Sequence, residues 1–284
     1  MNHLVTVVKA DGTTELFEEQ KLIESLQNSG GSPELIEKIL GHVGREIRDG
    51  MKTSEIYKHA FHLLRKHSMP AAVKYSLRRA LSELGPDGFP FERYISKIFE
   101  SWGYETLTDQ TVFGGCVAHE VDVVAWNREK LIMVEAKFHN EFILKSDLKV
   151  VLYIKARFDD LKENTYNYGG TTRKLTEGWL VTNTKFTDQA VKYGECQGLK
   201  MIGWNYPAHG NLQDIIEELR LHPFTCLTSL SNVHKKMLLA KGIVLCKDLI
   251  DHPNLLKEIG MPINEAQKVY DEAKEVCGVG RRGI

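Results

Sequence analysis

Two stretches, VDVVAW (121–126) and LIMVEAKF (131–138), have the apolar content of β-strands yet carry Asp122 and Glu135, with Lys137 two residues further on. If they pair antiparallel across Asn127–Lys130, Asp122 falls opposite Glu135. Cross-strand neighbours lie about 4.5–5.5 Å apart, and like charges so placed destabilise a sheet unless something neutralises them. A divalent cation meets that need. Mg²⁺ is commonly held by one or two carboxylates, with waters and phosphate oxygens completing the shell. Alternation along a strand puts Glu135 and Lys137 on one face and Val134, Ala136 and Phe138 on the other. A lysine on the metal face suits orienting a water or stabilising charge on a phosphate. The arrangement fits phosphodiester hydrolysis. The plainer alternative is a solvated sheet face on which Lys137 pairs with Glu120 or Asp122.

Other polar residues surround this hairpin. His119 and His139 flank the strands and are placed to touch a substrate phosphate or to support a ligand, or are simply structural. Lys149, Lys155 and Arg157 lie on the helical stretch that follows, either as contacts to a DNA backbone or as a solvated helix face. Trp179 and Trp204 fall in apolar strands and read as core.

The elements that must carry these residues follow from periodicity. In residues 1–88, LVTVVK and TELF are short strands joined at Asp11-Gly12, a good hairpin signal. Helices follow: one with Leu22, Ile23 and Leu26 on a stripe, one opening at Ser32-Pro33, one starting at Thr53 or Ser54, and a last one over AAVKYSLRRALSEL. GPDGFP (85–90) reads as a domain boundary. Residues 89–222 read as an α/β domain with a mixed sheet: helix FERYISKIFESWG, a strand near YETLTD, the acidic hairpin, helix SDLKVVLYIKARFDDL, strand GWLVTNTKF, helix DQAVKYGECQG and strand LKMIGWNY. Residues 223–284 are a string of short helices broken by Gly242, Pro253, Gly260 and Pro262, with GVGRRGI as a frayed tail. The fold class is multidomain α+β.

The whole chain sets limits. Its 284 residues are 42% hydrophobic and 26% charged, with a formal net charge of −1, so a nucleic-acid partner must be met by a local basic surface. The five cysteines include no CxxC pair, which argues against a zinc ribbon or a disulfide framework. There is no GxxxxGK[ST] loop for nucleotide phosphates. The N-terminus has no apolar run of the signal-peptide kind, and no stretch approaches the roughly 18 residues of a membrane span, so a cytoplasmic, membrane-free protein is expected.

HEVD…EAKFHN, with FERYISKIFESWGYE before it and TNTKFTDQAVKYGECQGLKMIGWNYP after it, resembles the PD-(D/E)xK nuclease superfamily, and most closely the Mrr-type restriction endonuclease domain, over 89–222. That resemblance implies Asp122 and Glu135 as ligands of Mg²⁺ or Mn²⁺, Lys137 as the catalytic lysine, and Glu92 as an additional metal-site residue or a surface glutamate. The superfamily's leading Pro-Asp is Val121-Asp122 here. VVKADGTTELFEEQKL with GMKTSEIYKHAFHLL resembles an ATP-cone domain over 1–88, the regulatory module of many ribonucleotide reductases. It implies a helical unit under a β-hairpin lid, with Val7, Lys9, Glu15, Lys21 and Thr53 around ATP or dATP. The family usually has Lys-Arg-Asp-Gly where this chain has Lys9-Ala10-Asp11-Gly12, which removes one phosphate fork. The alternative is a cone kept for dimerisation or docking. Residues 223–284 resemble a small all-α helix-hairpin-helix-like domain, with Lys257, Gly260 and Lys268 toward DNA, or an interaction domain without DNA contact.

These readings converge on a Mg²⁺-dependent DNA endonuclease of restriction, defence or repair type, controlled by ATP or dATP, and dimeric if it cuts both strands. The rival is an inactive, nucleotide-responsive DNA-binding protein using the nuclease fold as scaffold. An enzyme of nucleotide metabolism like the cone's usual hosts lacks support: no thiyl-radical cysteine set is discernible, and the chain beyond the cone is short for a reductase barrel.

Overall fold

The computed structural model describes residues 5–9, 12–85, 88–141 and 144–278. The chain forms two compact units, 1–77 and 78–284.

In the first unit, β1 (Thr6–Val8) pairs antiparallel with β2 (Thr14–Leu16) and parallel with β3 (Met51–Lys52). The turn between β1 and β2 closes with Lys9 N–H donating to Thr13 O at 2.8 Å, while Ala10 and Asp11 lie outside the described residues. Helices α1 (Glu19–Asn28), α2 (Pro33–Glu46) and α3 (Thr53–His67) follow, and α4 (Met69–Ser82) begins in this unit and ends in the second. Ser32 caps α2 by accepting from Leu35 N–H, and Pro33 takes the first position, where its missing N–H costs no helix bond. The stripes read from sequence face inward: Leu22, Leu26, Ile56, Ala60 and Leu64 are buried with Ile39 and Val43. Each fully buried leucine or isoleucine contributes on the order of 2 kcal/mol.

The second unit is built on a five-stranded sheet. Its strands are β4 (Glu105–Phe113), β5 (Ala118–Trp126), β6 (Leu131–Lys137), and, later in the chain, β10 (Glu177–Thr182) and β12 (Lys200–Ile202). Their order is β12-β10-β6-β5-β4, parallel from β12 to β6 and antiparallel from β6 to β4. Helix α5 (Phe89–Ser101) packs on β4, β5 and β6. The facing core joins Val121, Val124, Trp126, Leu131 and Met133 to Val151, Ile154, Phe158 and Leu161 of α6 (Leu148–Leu161). Asp147 caps α6 at Val150 N–H. Val121 and Val124 share that core, so strict alternation along β5 breaks at Asp122 and Val123.

Smaller pieces complete the unit. β7 (Lys145–Ser146) pairs parallel with β11 (Lys185–Phe186). The hairpin β8 (Thr165–Tyr168) and β9 (Thr171–Lys174) turns on Gly169-Gly170, both at positive φ. A Cβ on Gly169 would sit 2.6 Å from Trp126 Nε1, so only glycine lets that ring in. This hairpin was not anticipated from the sequence, although Tyr-Gly-Gly between threonine-rich runs is its signal. GWLVTNTKF is one strand by composition but two in the structure, divided at Asn183 and Thr184. Trp179 lies on β10 against Phe99, ring centroids 5.4 Å apart, whereas Trp204 sits beyond β12 in a turn rather than in a strand.

Helices α7 (Asp188–Cys196), α8 (Leu212–Glu218), α9 (Asn232–Ala240), α10 (Cys246–Asp251), α11 (Asn254–Glu258) and α12 (Ile263–Val276) make up the remainder. The segment beyond residue 222 belongs to the same compact unit as the sheet. Thr225 Oγ1 donates to Ala80 O at 2.6 Å, Tyr94 Oη donates to Leu221 O at 2.7 Å, and Phe224 is fully buried. Of the boundary read at GPDGFP, Pro86 and Asp87 lie outside the described residues, as does the tail beyond Gly278. Among the described residues no helix is long and apolar enough to cross a membrane.

Candidate active site

The β5–β6 ladder runs from Trp126↔Leu131 to Val123↔Val134. One step further, the same register sets Asp122 opposite Glu135. There the backbone pairing gives way to a side chain: Asp122 Oδ2 accepts the Ala136 N–H at 2.7 Å. Glu135 continues the face of Leu131 and Met133 toward α6, where Arg157 Nη1 donates to its Oε2 at 2.7 Å. Lys137 ends β6, is exposed, and has no ion-pair partner among the described residues. The pairing of Lys137 with Glu120 or Asp122 that a solvated face would give is therefore not formed.

Glu92 reaches the same place from the first turn of α5. Its carboxyl is pushed up to about 7 by burial, then by the charges of Asp122, Asp109 and Glu120. Glu135 is also raised to about 7, by burial and by Asp122, against the pull of Arg157 and Lys137. Burial raises Asp122, opposed by the Ala136 N–H and Arg157. Three carboxyls are thus held above their ordinary range in one region. This is an excess of negative charge that a cation would relieve.

Among the described residues no three acidic, histidine or cysteine side chains converge closely enough to hold an ion by themselves. A two-carboxylate site for a hard cation completed by water and phosphate is compatible with that geometry. The oxygen-only donor set suits Mg²⁺ or Mn²⁺ rather than zinc.

Sequence reasoning missed two features. Asp109 lies directly across β4 from Asp122, between the pairs Thr108↔Val123 and Gln110↔Val121. Its φ is +55°, a left-handed backbone that non-glycine residues rarely adopt. An aspartate inside the threonine-rich YETLTDQTV was the available cue. The second feature is a buried polar cluster beside Lys137. Ser146, Thr182, Asn183 and Thr184 are almost wholly inaccessible. Asn183 Oδ1 accepts the His139 N–H, and Asn183 Nδ2 donates to His139 O, both at 2.8 Å. His139 Nε2 lies 3.1 Å from Ser146 Oγ, and burial, then Lys137, lowers its imidazole pKa. His139 therefore anchors the chain just past Lys137.

The remaining site residues are dispersed. His119 turns to Asp160, Nε2 to Oδ2 2.7 Å, and that carboxylate also accepts from the amides of Cys116 and Val117. Hydrogen bonding, first of all to His119, lowers the Asp160 pKa to about 2. Lys149 is exposed, Lys155 pairs with Asp159 at 2.6 Å, and Arg157 is committed to Glu135. Lys257 and Lys268 are exposed. Gly260, at φ +77°, closes α11: its N–H goes to Lys257 O and the Met261 N–H to Leu256 O. Those two amides are used by the helix end rather than offered to a phosphate.

In the first unit, a cavity of about 220 Å³ is bounded by Val7, Glu15, Lys21, Thr53, Tyr57 and Tyr75. Glu15 pairs with Lys9 at 2.6 Å and lies 3.7 Å from Lys21, which also pairs with Glu18 at 2.8 Å. Tyr57 and Tyr75 stack at 4.9 Å. Four of the five sequence-predicted residues line the cavity, and Lys9 joins it through Glu15.

Comparison with known proteins finds three family matches. Residues 5–83 match the ATP cone domain, 85–205 a restriction endonuclease family of the Mrr type, and 222–277 the family described as AF1548-like, C-terminal. An uncharacterized protein of Archaeoglobus fulgidus is 36% identical over 185 residues, covering 65% of this chain and 100% of that protein. The crystal structure of the protein of unknown function AF1548 is similar at a TM-score of 0.56, with 34% identity, 68% of this chain covered and 99% of that one. Can2 from Sulfobacillus thermosulfidooxidans, solved with cyclic tetra-adenylate, gives a TM-score of 0.32 at 12% identity, over 71% of this chain and 54% of that one.

Proposed function

We propose that this chain, which belongs to the AF1548-like family and joins an ATP-cone domain to a restriction-endonuclease-like domain, is a Mg²⁺-dependent DNA endonuclease of restriction, defence or repair type under ATP or dATP control. One observation carries the reading: Asp122 falls opposite Glu135 in the β5–β6 register, with an exposed Lys137 two residues on that has no ion-pair partner among the described residues. Asp122 and Glu135 would hold Mg²⁺ or Mn²⁺, with Glu92 beside them. When bound, the metal supplies charge stabilisation at phosphate and lowers the pKa of water. Lys137 presents its ammonium to the scissile phosphate or its attacking water, and His139 with Asn183 fixes the backbone that carries it. Arg157 balances the Glu135 charge and would share it with a bound cation. Exposed Lys149, Lys257 and Lys268 are the candidates for backbone contacts to DNA. Cleavage of both strands with one site per chain calls for a homodimer.

The deciding experiment incubates plasmid and linear DNA with the protein in Mg²⁺, Mn²⁺ or EDTA, with and without ATP and dATP, beside Glu135→Ala and Lys137→Ala. Metal-dependent nicking lost in both variants is expected. No nicking by wild type under any condition, or equal nicking by the variants, refutes the assignment. Absence of nicking with retained DNA binding supports the second reading, an inactive DNA-binding scaffold, which the Arg157–Glu135 pair favours because it occupies a ligand oxygen. Equilibrium binding of ATP and dATP to the full chain tests the cone. Lys21→Ala is expected to weaken it, and no binding at millimolar nucleotide refutes the sensor role.

A further inference from the structure

A cavity of about 800 Å³ lies in the second unit where the end of α4, the start of α5 and helix α9 meet. Arg79, Arg93, Lys235 and Lys236 line it, against the single carboxylate of Glu83. That carboxylate is already shared: Arg79 Nε lies 3.1 Å from it and Lys235 Nζ 2.8 Å. Arg93 and Lys236 are exposed and have no ion-pair partner among the described residues. The Arg93 guanidinium lies beside Gly242, where a Cβ would come within 2.3 Å of Nη1, so the absent side chain leaves the cation its room. A phenyl ring, Phe89, stands 56% exposed at the same wall. In a chain of net charge −1, this concentration of cations beside a bare aromatic ring is local and distinctive.

The cavity and the candidate active site are bordered by two of the same segments. Phe89 and Arg93 stand on α5 on either side of Glu92, within about one turn of it. Gly85, on the other wall, packs on the residues that follow Lys137. A Cβ there would meet the Phe138 ring at 2.3 Å and Asn140 Oδ1 at 2.8 Å. Helix α5 thus carries Glu92 at the acidic site and the exposed Arg93 at this cavity.

We propose that this cavity binds a single-stranded flank of the nucleic-acid substrate, its phosphates on Arg93 and Lys236 and an unstacked base on Phe89. The inference rests on the nuclease reading for its substrate but concerns binding alone. Cations tracking a backbone beside an exposed aromatic side chain are how single strands are held. A duplex end has no free base for Phe89, so the site discriminates between flanked and blunt duplexes.

The test is fluorescence anisotropy of the full chain carrying Glu135→Ala, in EDTA, so that no cleavage occurs. A duplex with a single-stranded flank is compared with a blunt duplex over a series of salt concentrations. Lys236→Glu is expected to weaken flanked-duplex binding about tenfold at low salt and to flatten the log–log salt slope by about 0.7 per lost phosphate contact. Phe89→Ala is expected to abolish at least a fivefold preference for the flanked duplex, the loss of one base–aromatic stack. Lys200→Glu, on β12, controls for net charge, and thermal melting confirms that each variant folds. The proposal is overturned if Lys236→Glu loses no more than Lys200→Glu, if wild type binds both duplexes equally, or if a free mononucleotide saturates the cavity and DNA does not. Flank-dependent binding by a wild-type chain that never cleaves sustains the cavity and refutes the nuclease reading. Normal cleavage with unaffected flank binding in both variants does the reverse.

Discussion

Replacing Arg157 by methionine keeps the aliphatic stem and removes the cation facing Glu135. The Glu135 carboxyl already stands at about 7 against an ordinary 4.5. Folded protein therefore binds its proton more tightly than unfolded protein, and stability falls as pH rises from about 4.5 to about 7. At about 1.4 kcal/mol per unit, that loss is on the order of 3 kcal/mol in the wild type. Without Arg157 the folded pKa moves higher still, so the falling branch extends above pH 7 by about 1.4 kcal/mol for each further unit. At pH 6 the carboxyl is mostly protonated in both proteins, and the variant loses a hydrogen bond and the guanidinium over the Tyr153 ring, together on the order of 1 kcal/mol. The stability gap between wild type and Arg157→Met should thus be about 1 kcal/mol at pH 6 and at least about 2 kcal/mol at pH 8.5. Urea unfolding in EDTA, followed by tryptophan fluorescence, reads it directly, because all four tryptophans lie in the second unit. A gap that stays constant from pH 6 to 8.5 refutes the reasoning. So does a gap that keeps its slope when both proteins also carry Glu135→Gln.

Other outcomes follow from the same structure. Because Mg²⁺ competes with the Glu135 proton, the half-saturating Mg²⁺ concentration should rise up to about tenfold per pH unit below 7 and stay flat above it, as metal titrations of DNA cleavage will show. His222 is mostly buried, and burial lowers its pKa to about 4 against a backbone hydrogen bond to Arg220. The unfolded chain takes up that proton first, so stability falls as pH drops from 6.5 to about 4, by about 3 kcal/mol. His222→Phe should flatten the acid limb of the Tm profile. Asp109→Gly relieves a left-handed aspartate and one repulsion on Glu92, and should raise urea stability by about 1 kcal/mol. Glu272 accepts hydrogen bonds from the amides and hydroxyls of both Thr228 and Ser229. Thr228 and Ser229 are exposed and can turn their donors to water, so Glu272→Ala should cost about 2 kcal/mol, the lost charge-assisted hydrogen bonds.

The acidic hairpin was legible because strand period and turn length together specify register: Asp122, Glu135 and Lys137 could be placed by counting. The helices of the first unit were legible from caps and stripes, as at Ser32-Pro33 and Ile56-Ala60-Leu64. What escaped was non-local. Nothing near Arg157 in the sequence says that its partner is a carboxylate on a central strand rather than a phosphate. His119 meets Asp160, and Thr225 meets Ala80, across separations that periodicity does not reach. The division of GWLVTNTKF came from buried hydrogen bonding by Asn183 and Thr184, which composition alone does not distinguish from an edge strand.

The point where the β5–β6 ladder stops has a kinetic meaning. Pairing that zips from the four-residue turn forms Trp126↔Leu131 first and reaches Asp122 and Glu135 last. Those carboxylates then meet while Arg157, carried by a helix made later in the chain, has yet to dock. The hairpin is thus self-limiting: quick to nucleate, frustrated at its open end, and completed only by tertiary structure. Chemistry is confined to the end of the ladder that local folding cannot close by itself.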